Sequence, residues 1–225
     1  MAKAIVIDLY DTLSDESSNE RVALSLIRQI VATAGIRVTE GSFNAAQQFA
    51  IDSFAPSHWE AMIFKLVNRD TSLALRCSGA FKRNFKRTVK IRPEAEAIVA
   101  ACKQHGWKLA LAHSPNKEET EALNAKGLLD QFDVKGPPAA MKIQLPDMRV
   151  LEFLLGSLGI PPAECILLGN RIDNDIRPAN NLRMTTIQLQ VGVHGKKQFA
   201  RDLKDVPDYE APSLEALMHV IPSVV

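Results

Sequence analysis

Short runs rich in apolar and β-branched residues constrain the fold of this chain more than any other feature. Four of them recur along the sequence, at residues 4–7, 109–112, 166–168 and 185–189. Continuous apolar runs are typical of strands that are buried on both faces, as in a parallel sheet. Helical patterns separate the later runs, and strands that alternate with helices predict a sheet built from βαβ units.

Two of the helices between these runs are marked by their ends. Residues 93–105 begin with proline, carry glutamates in the first turn and stop before Gly106. Residues 146–158 repeat apolar side chains with helical spacing and stop before Gly159. We therefore expect an α/β fold, with a Rossmann-like parallel sheet and helices on both of its faces.

The segment between the first and second strands is different, because it has no strand pattern. Four helical patterns follow one another there, at about residues 18–34, 43–54, 57–68 and 71–87. We interpret residues 14–90 as an all-helical cap domain, inserted into an α/β core made of residues 1–13 and 91–225. An insert at this point is expected to lie over the edge of the sheet where open α/β folds bind ligands.

The composition argues against several classes of partner. The 225 residues carry a formal net charge of +1 and are only 6% aromatic, which favours neither nucleic acid nor a membrane surface. The apolar runs are far shorter than the roughly 20 residues that span a bilayer. Three widely spaced cysteines indicate a reducing compartment. We expect a cytoplasmic protein that binds a small molecule; the sequence leaves its oligomeric state open.

The first candidate site follows the first strand, in the sequence Asp8-Leu9-Tyr10-Asp11-Thr12. A carboxylate at the tip of a strand, here Asp8, can act as a nucleophile or as a metal ligand. A hydrogen bond from Thr12 would orient it. An ordinary turn is the alternative, since Asp and Thr both favour turns. The position at the first strand, with a helical insert behind it, favours the functional interpretation.

A second polar group follows the strand at residues 166–168. The sequence there is Gly-Asn-Arg-Ile-Asp-Asn-Asp, from Gly169 to Asp175. Carboxylate and amide oxygens, as offered by Asp175 and Asn170, suit a hard ion such as Mg²⁺. Helix capping by Asn170 or Asp173 explains the same residues equally well when this stretch is considered alone.

Considered together, the two stretches resemble the haloacid dehalogenase-like (HAD-like) hydrolases. The resemblance runs from Asp8 to about His194 and includes the long stretch at residues 169–180. It implies that Asp8 is the nucleophile and that Asp8, the backbone carbonyl of Tyr10 and Asp175 bind Mg²⁺. It also implies a hydrolase that acts on a small phosphorylated substrate through an aspartyl intermediate.

The first departure from the phosphatases of this family is Tyr10. It stands where they carry a second Asp as general acid and base, and a tyrosine with a pKa near 10 is a poor base at neutral pH. Asp11 comes one residue later and is expected to face another way if the alternation of the strand persists. Dehalogenase members of the family also carry Tyr here, because a halide leaving group needs no proton.

Two further departures concern residues that would contact the transferred group. His113 aligns with the family's Ser or Thr after the second core strand, and Ser114 follows it. Leu145 occupies the place of the family's lysine, for which Lys142 is the nearest substitute because its long side chain reaches several ångströms. Loop residues without a catalytic role are the alternative for His113 and Lys142.

The fourth departure is Asn170, which replaces an Asp and removes one negative charge from the predicted Mg²⁺ site. The four departures together predict weak or atypical phosphatase activity. They leave two alternatives open. One is a catalytically inactive relative that binds a ligand or a protein. The other is a haloacid dehalogenase, which Tyr10 favours, whereas the spacing from Asn170 to Asp175 and the residues after the second strand do not.

Overall fold

The computed structural model describes residues 2–221, and within them it contains a six-stranded parallel sheet. The strands are β1 Ala4–Ile7, β2 Lys108–Leu111, β3 Val134–Lys135, β4 Cys165–Gly169, β5 Thr185–Leu189 and β6 Tyr209–Ala211. Their order across the sheet is β3-β2-β1-β4-β5-β6, and every neighbouring pair is parallel. The predicted Rossmann-like α/β fold is confirmed, with β1 between β2 and β4.

Ten α-helices accompany the strands in residues 2–221. They are α1 Ser17–Thr33, α2 Glu40–Asp52, α3 His58–Leu66, α4 Thr71–Asn84, α5 Ala95–Gln104, α6 Lys117–Ala125, α7 Met148–Leu158, α8 Arg177–Asn181, α9 Gly192–Lys197 and α10 Leu214–Val220. Helix α7 ends at Gly159 in a left-handed conformation, as its sequence predicts. Helix α4 is shorter than predicted because Phe85 adopts an extended backbone (φ −74°, ψ 120°).

The chain divides into two compact units, which the structure assigns to residues 1–16 with 89–225 and to residues 17–88. In the first unit the side chains of β1 alternate between two apolar layers. Ile5 and Ile7 pack with residues of α5 and α10 on one face of the sheet. Ala4 and Val6 pack with residues of α7 on the other face. Burial on both faces explains why β1 is an uninterrupted apolar run.

The second unit is all helical in the structure and has a core of its own. Ala23, Ile27 and Val31 lie one turn apart on α1 and are fully buried. They belong to one apolar cluster with Phe43 of α2 and Met62 of α3. The limits predicted from the sequence, 14 and 90, differ by two or three residues from this division. No helix in residues 2–221 is both long enough and apolar enough to cross a membrane.

Candidate active site

The sheet register places the ends of β1, β2 and β4 side by side. Ile7, the last residue of β1, lies opposite Leu111 of β2 and Leu168 of β4. The backbone N–H of Asp8 donates a hydrogen bond to the Leu168 carbonyl at 2.9 Å. Predicted site residues after these three strands therefore lie along one edge of the sheet, where ligands bind in open α/β folds.

A tight turn, Leu9–Leu13, follows Asp8 and departs from strand geometry at once. Tyr10 has an extended backbone, and Asp11 adopts a left-handed one with φ 55°. Asp8 and Thr12 are both buried. The hydroxyl oxygen of Thr12 is buried without a hydrogen-bond partner among residues 2–221, so the predicted orientation of Asp8 by Thr12 stays a prediction.

The carboxylate of Asp11 is held within the loops. Its Oδ1 accepts a hydrogen bond from the Glu16 N–H at 3.3 Å and lies 3.4 Å from Nη2 of Arg92. Gly192 packs so closely against the same carboxylate that a Cβ at that position would overlap it. Asp11 therefore stabilises the loop. Its orientation follows from the turn, since the alternation of the strand ends at Ile7.

Asp175, the second predicted acidic ligand, is completely buried beside the end of β4. It accepts hydrogen bonds from the Arg171 N–H at 2.9 Å and from Nδ2 of Asn174 at 2.8 Å. Burial raises the pKa of the Asp175 carboxyl to about 6, although these two hydrogen bonds oppose the effect. Gly169 makes room for this carboxylate, which a Cβ on Gly169 would overlap.

Arg171 lies beside the candidate acidic residues and was not predicted as a site residue from the sequence. Its guanidinium donates two hydrogen bonds to the Asp173 carboxylate, at 3.1 Å and 2.6 Å. Gln198 donates a further one to Asp173 at 2.6 Å and holds it in place. Burial alone would lower the pKa of Arg171, but Asp173, together with the charges of Asp175 and Asp8, raises it. One cation therefore lies among three carboxylates.

The side chains at this edge fit a magnesium ion by their chemistry. Asp8, Asp175 and Asn170 offer hard oxygen atoms, and Tyr10 offers its backbone carbonyl. Asp175 is a desolvated carboxylate of the kind that a nearby dication would keep ionised. No group of three or more His, Cys, Asp or Glu side chains in residues 2–221 is placed to hold a metal. The ligand set would therefore include neutral oxygens.

Tyr10 and His113, two of the departures from the family pattern, contact the same carboxylate. The Tyr10 hydroxyl donates to Oε1 of Glu119 at 2.5 Å, and Nε2 of His113 lies 3.2 Å from Oε2. The backbone N–H of Asn116 also donates to Oε2, at 2.8 Å. The rings of Tyr10 and His113 stack with their centroids 4.8 Å apart. We refer to Tyr10, His113, Asn116 and Glu119 as the Glu119 cluster.

Glu119 is ionised at neutral pH in this arrangement. Its side chain is 1% exposed, and burial alone would raise its pKa. Hydrogen bonds from His113, Tyr10 and Asn116 outweigh burial and lower the pKa of Glu119 to about 2. One sequence signal marks this residue: Asn116 and Glu119 form a capping box at the start of α6. Its contact with Tyr10 spans 109 positions and leaves no local signal.

The remaining residues considered from the sequence, Ser114, Lys142 and Leu145, form no hydrogen bond or ion pair with Asp8, Asp175 or Glu119 within the described chain. The Ser114 hydroxyl donates to the Pro137 carbonyl. Lys142 is exposed, has a left-handed backbone (φ 51°), and makes no hydrogen bond or ion pair through its ammonium group within the described chain. Leu145 is buried in the apolar layer beside α7. The catalytic roles assigned to Ser114 and Lys142 stay predictions.

Comparisons with known proteins agree with this fold. A family model described as haloacid dehalogenase-like hydrolase matches residues 2–183. A glyceraldehyde 3-phosphate phosphatase of Methanopyrus kandleri is 23% identical over 98% of this chain and 97% of its own. The structure of a putative phosphatase from Clostridium difficile has a TM-score of 0.69 at 15% identity and covers 98% of both chains. A 2-haloacid dehalogenase from Pseudomonas syringae has a TM-score of 0.58 at 20% identity and covers 100% of both.

The family match extends over most of the chain and includes Asp8, the Glu119 cluster and the loop after β4. It confirms the resemblance read from the two acidic stretches. This chain belongs to the haloacid dehalogenase-like hydrolases.

Proposed function

We propose that this protein is a magnesium-dependent, phosphatase-like hydrolase that transfers the phosphoryl group of a small substrate to Asp8. The observation that carries the proposal is the placement of two buried carboxylates, Asp8 and Asp175, after the neighbouring strands β1 and β4. A relative that matches nearly the whole chain is named a phosphatase, which supports the same reaction class.

In this proposal a carboxylate oxygen of Asp8 attacks phosphorus, and the bond between phosphorus and the leaving oxygen breaks. Water then attacks the aspartyl phosphate and releases inorganic phosphate, which restores the carboxylate. Mg²⁺, held by Asp8, Asp175, Asn170 and the Tyr10 carbonyl, would supply charge neutralisation when bound. Arg171 keeps a positive charge beside these carboxylates. His113, which aligns with the family's Ser or Thr, or Ser114 would contact the transferred group.

We expect slow turnover. General acid–base catalysis typically contributes about 10²–10⁴-fold to a rate. Position 10 carries a tyrosine in place of the family's carboxyl group, and its hydroxyl is hydrogen-bonded to Glu119. The same hydrogen bond, together with the exposed position of Lys142, favours a second candidate function. That candidate is a relative that binds a phosphorylated ligand without hydrolysing it.

Hydrolysis of 4-nitrophenyl phosphate tests the proposal. The wild-type protein should release nitrophenolate in the presence of Mg²⁺, and chelation by EDTA should abolish the reaction. Asp8→Asn should be inactive, whereas Asp130→Asn, a matched change at a carboxylate that is 87% exposed, should retain wild-type activity. Equal residual rates in wild type and Asp8→Asn would contradict the proposal and leave the binding function.

A parallel assay addresses the dehalogenase alternative. Release of chloride from 2-chloropropionate by the wild-type protein, lost in Asp8→Asn and unaccompanied by phosphatase activity, would replace the phosphatase proposal with dehalogenation. We expect no chloride release.

A further inference from the structure

The hydrogen bonds of the Glu119 cluster determine which side chains near the end of β2 are free to donate a proton. The Tyr10 hydroxyl reaches Glu119 at 2.5 Å, a distance typical of a strong bond from a hydroxyl to an ionised carboxylate. Stacking on His113 fixes the tyrosine ring as well. Tyr10, which occupies the family's acid–base position, therefore donates its hydroxyl hydrogen bond to the buried Glu119 carboxylate.

Three neighbouring side chains, those of His113, Ser114 and Asp11, also form their polar contacts within the protein. His113 places Nε2 against Glu119, and its Nδ1 is buried without a hydrogen-bond partner in residues 2–221. The hydroxyl of Ser114 donates to the Pro137 carbonyl. Asp11 is held by Arg92 and by the loop backbone. Each of these candidate proton donors is occupied or buried.

Loss of a proton donor has different consequences for different phosphate compounds. An alkyl phosphate leaves as an alkoxide, which is strongly basic and needs a proton as the P–O bond breaks. An acyl phosphate leaves as a carboxylate, and a nitrophenyl phosphate leaves as a phenolate that is stable as an anion. General acid catalysis therefore matters most for the alkyl compounds.

We propose that Glu119 is a positioning residue: its carboxylate binds Tyr10 and His113, so neither side chain can protonate a leaving group. The enzyme is therefore restricted to phosphoryl compounds whose leaving groups are stable anions, above all acyl phosphates. This inference rests on the proposed function and specifies its substrate class. The proposed substrate class differs from the substrate in the name of one relative, a glyceraldehyde 3-phosphate phosphatase, because glyceraldehyde 3-phosphate is an alkyl phosphate.

The reaction balances without a proton donor in its first step. An Asp8 oxygen forms a bond to phosphorus, the bond from phosphorus to the acyl oxygen breaks, and its electron pair leaves with the carboxylate. In the second step water attacks the phosphorus of the aspartyl phosphate. The Asp8 carboxylate leaves with the electron pair of its bond, and the protons of water go to phosphate and solvent.

The test compares leaving groups in the wild-type protein, so it does not depend on the folding of a variant. We would measure kcat/KM with Mg²⁺ for acetyl phosphate, 4-nitrophenyl phosphate, phenyl phosphate, ethyl phosphate and glyceraldehyde 3-phosphate. We expect rates that fall steeply with the basicity of the leaving group. Both alkyl phosphates should be about 10²-fold or more below 4-nitrophenyl phosphate, the range of general acid catalysis.

Variants then assign the effect to the cluster. Tyr10→Asp alone would leave the Glu119 carboxylate without its hydrogen bond from the Tyr10 hydroxyl, so the informative change is Tyr10→Asp with Glu119→Gln. This double variant should raise kcat/KM for the alkyl phosphates more than for 4-nitrophenyl phosphate. Glu121→Gln, on the same helix and exposed, should reproduce the wild-type profile. In His113→Asn, whatever the absolute rates, the ratio of kcat/KM for 4-nitrophenyl phosphate to kcat/KM for ethyl phosphate should stay at its wild-type value.

Three results would overturn the inference. Wild-type rates on the alkyl phosphates within about tenfold of the nitrophenyl rate would show that a proton donor is present. A steeper dependence in His113→Asn would identify His113 as that donor. Inactivity on every compound, acetyl phosphate included, would overturn both the substrate class and the proposed function. Either of the first two results, if activity is still lost in Asp8→Asn, would overturn the substrate class alone.

Discussion

Replacing the buried carboxylate of Glu119 by an amide should destabilise the fold in a pH-dependent way. In the folded chain, hydrogen bonds from His113, Tyr10 and Asn116 outweigh burial and lower the pKa of Glu119 from 4.5 to about 2. Each tenfold change in a protonation constant is worth about 1.4 kcal/mol. The ionised carboxylate therefore contributes about 3 kcal/mol to the free energy of unfolding at pH 7.

The sign of the pH dependence follows from the direction of the shift. Because the folded-state pKa is lowered, the contribution is complete above the unfolded-state value of 4.5. It is lost as the pH falls from there toward about 2, with about half remaining at pH 3. Glu119→Gln cannot titrate. The difference in stability between wild type and variant should therefore shrink from about 3 kcal/mol at pH 7 to about 1.5 kcal/mol at pH 3.

Urea unfolding followed by circular dichroism at pH 7, 5 and 3 measures this difference. The control is Glu121→Gln, an exposed carboxylate two residues away on α6. It should change the free energy of unfolding by less than about 0.5 kcal/mol at each pH. A Glu119→Gln effect of the same size at all three pH values would show that ionisation of Glu119 does not stabilise the fold.

Two substitutions and one chemical modification test other parts of the structure. Gly169→Ala should displace the Asp175 carboxylate, which lowers Mg²⁺ affinity in titration calorimetry and costs about 1–3 kcal/mol of stability; unchanged affinity would show that Asp175 is not a ligand. Asp205→Ala should cost about 1–3 kcal/mol in thermal unfolding, because it removes two hydrogen bonds from Arg177 to a fully buried carboxylate; an unchanged melting temperature would refute this. Burial raises the pKa of the Cys102 thiol to about 12, so it should resist iodoacetamide at pH 8 until urea unfolds the chain, as peptide mass spectrometry would show; rapid alkylation of the folded protein would contradict it.

The central strands could be predicted because burial on both faces leaves an uninterrupted apolar run. This holds for β1, whose bounds match the predicted residues 4–7. β5 also has the predicted bounds, 185–189, but its sequence includes the polar residues Thr186 and Gln188, both of which are buried. β3 and β6 have two and three residues and include exposed side chains, so their sequences carry no such run. Only pairing with β2 and β5 makes them strands.

The site was predictable where it depends on strand ends and unpredictable where it depends on distant contacts. Asp8 follows an apolar run directly, and Asp175 lies in the loop after β4, so position alone selected both. Glu119 contacts Tyr10 across 109 positions, which sequence periodicity does not report. Lys142 was selected by its distance along the chain from Leu145, a measure that says nothing about where its ammonium group lies.

Trapping of a phosphoryl group on Asp8 tests the central claim most directly. The protein would be incubated briefly with acetyl phosphate and Mg²⁺, quenched in acid, digested and mapped by mass spectrometry. We predict a phosphoryl adduct on Asp8 that requires Mg²⁺, disappears on longer incubation after the substrate is removed, and is absent from Asp8→Asn. An adduct on another residue, or none while phosphate is released, would contradict nucleophilic catalysis by Asp8.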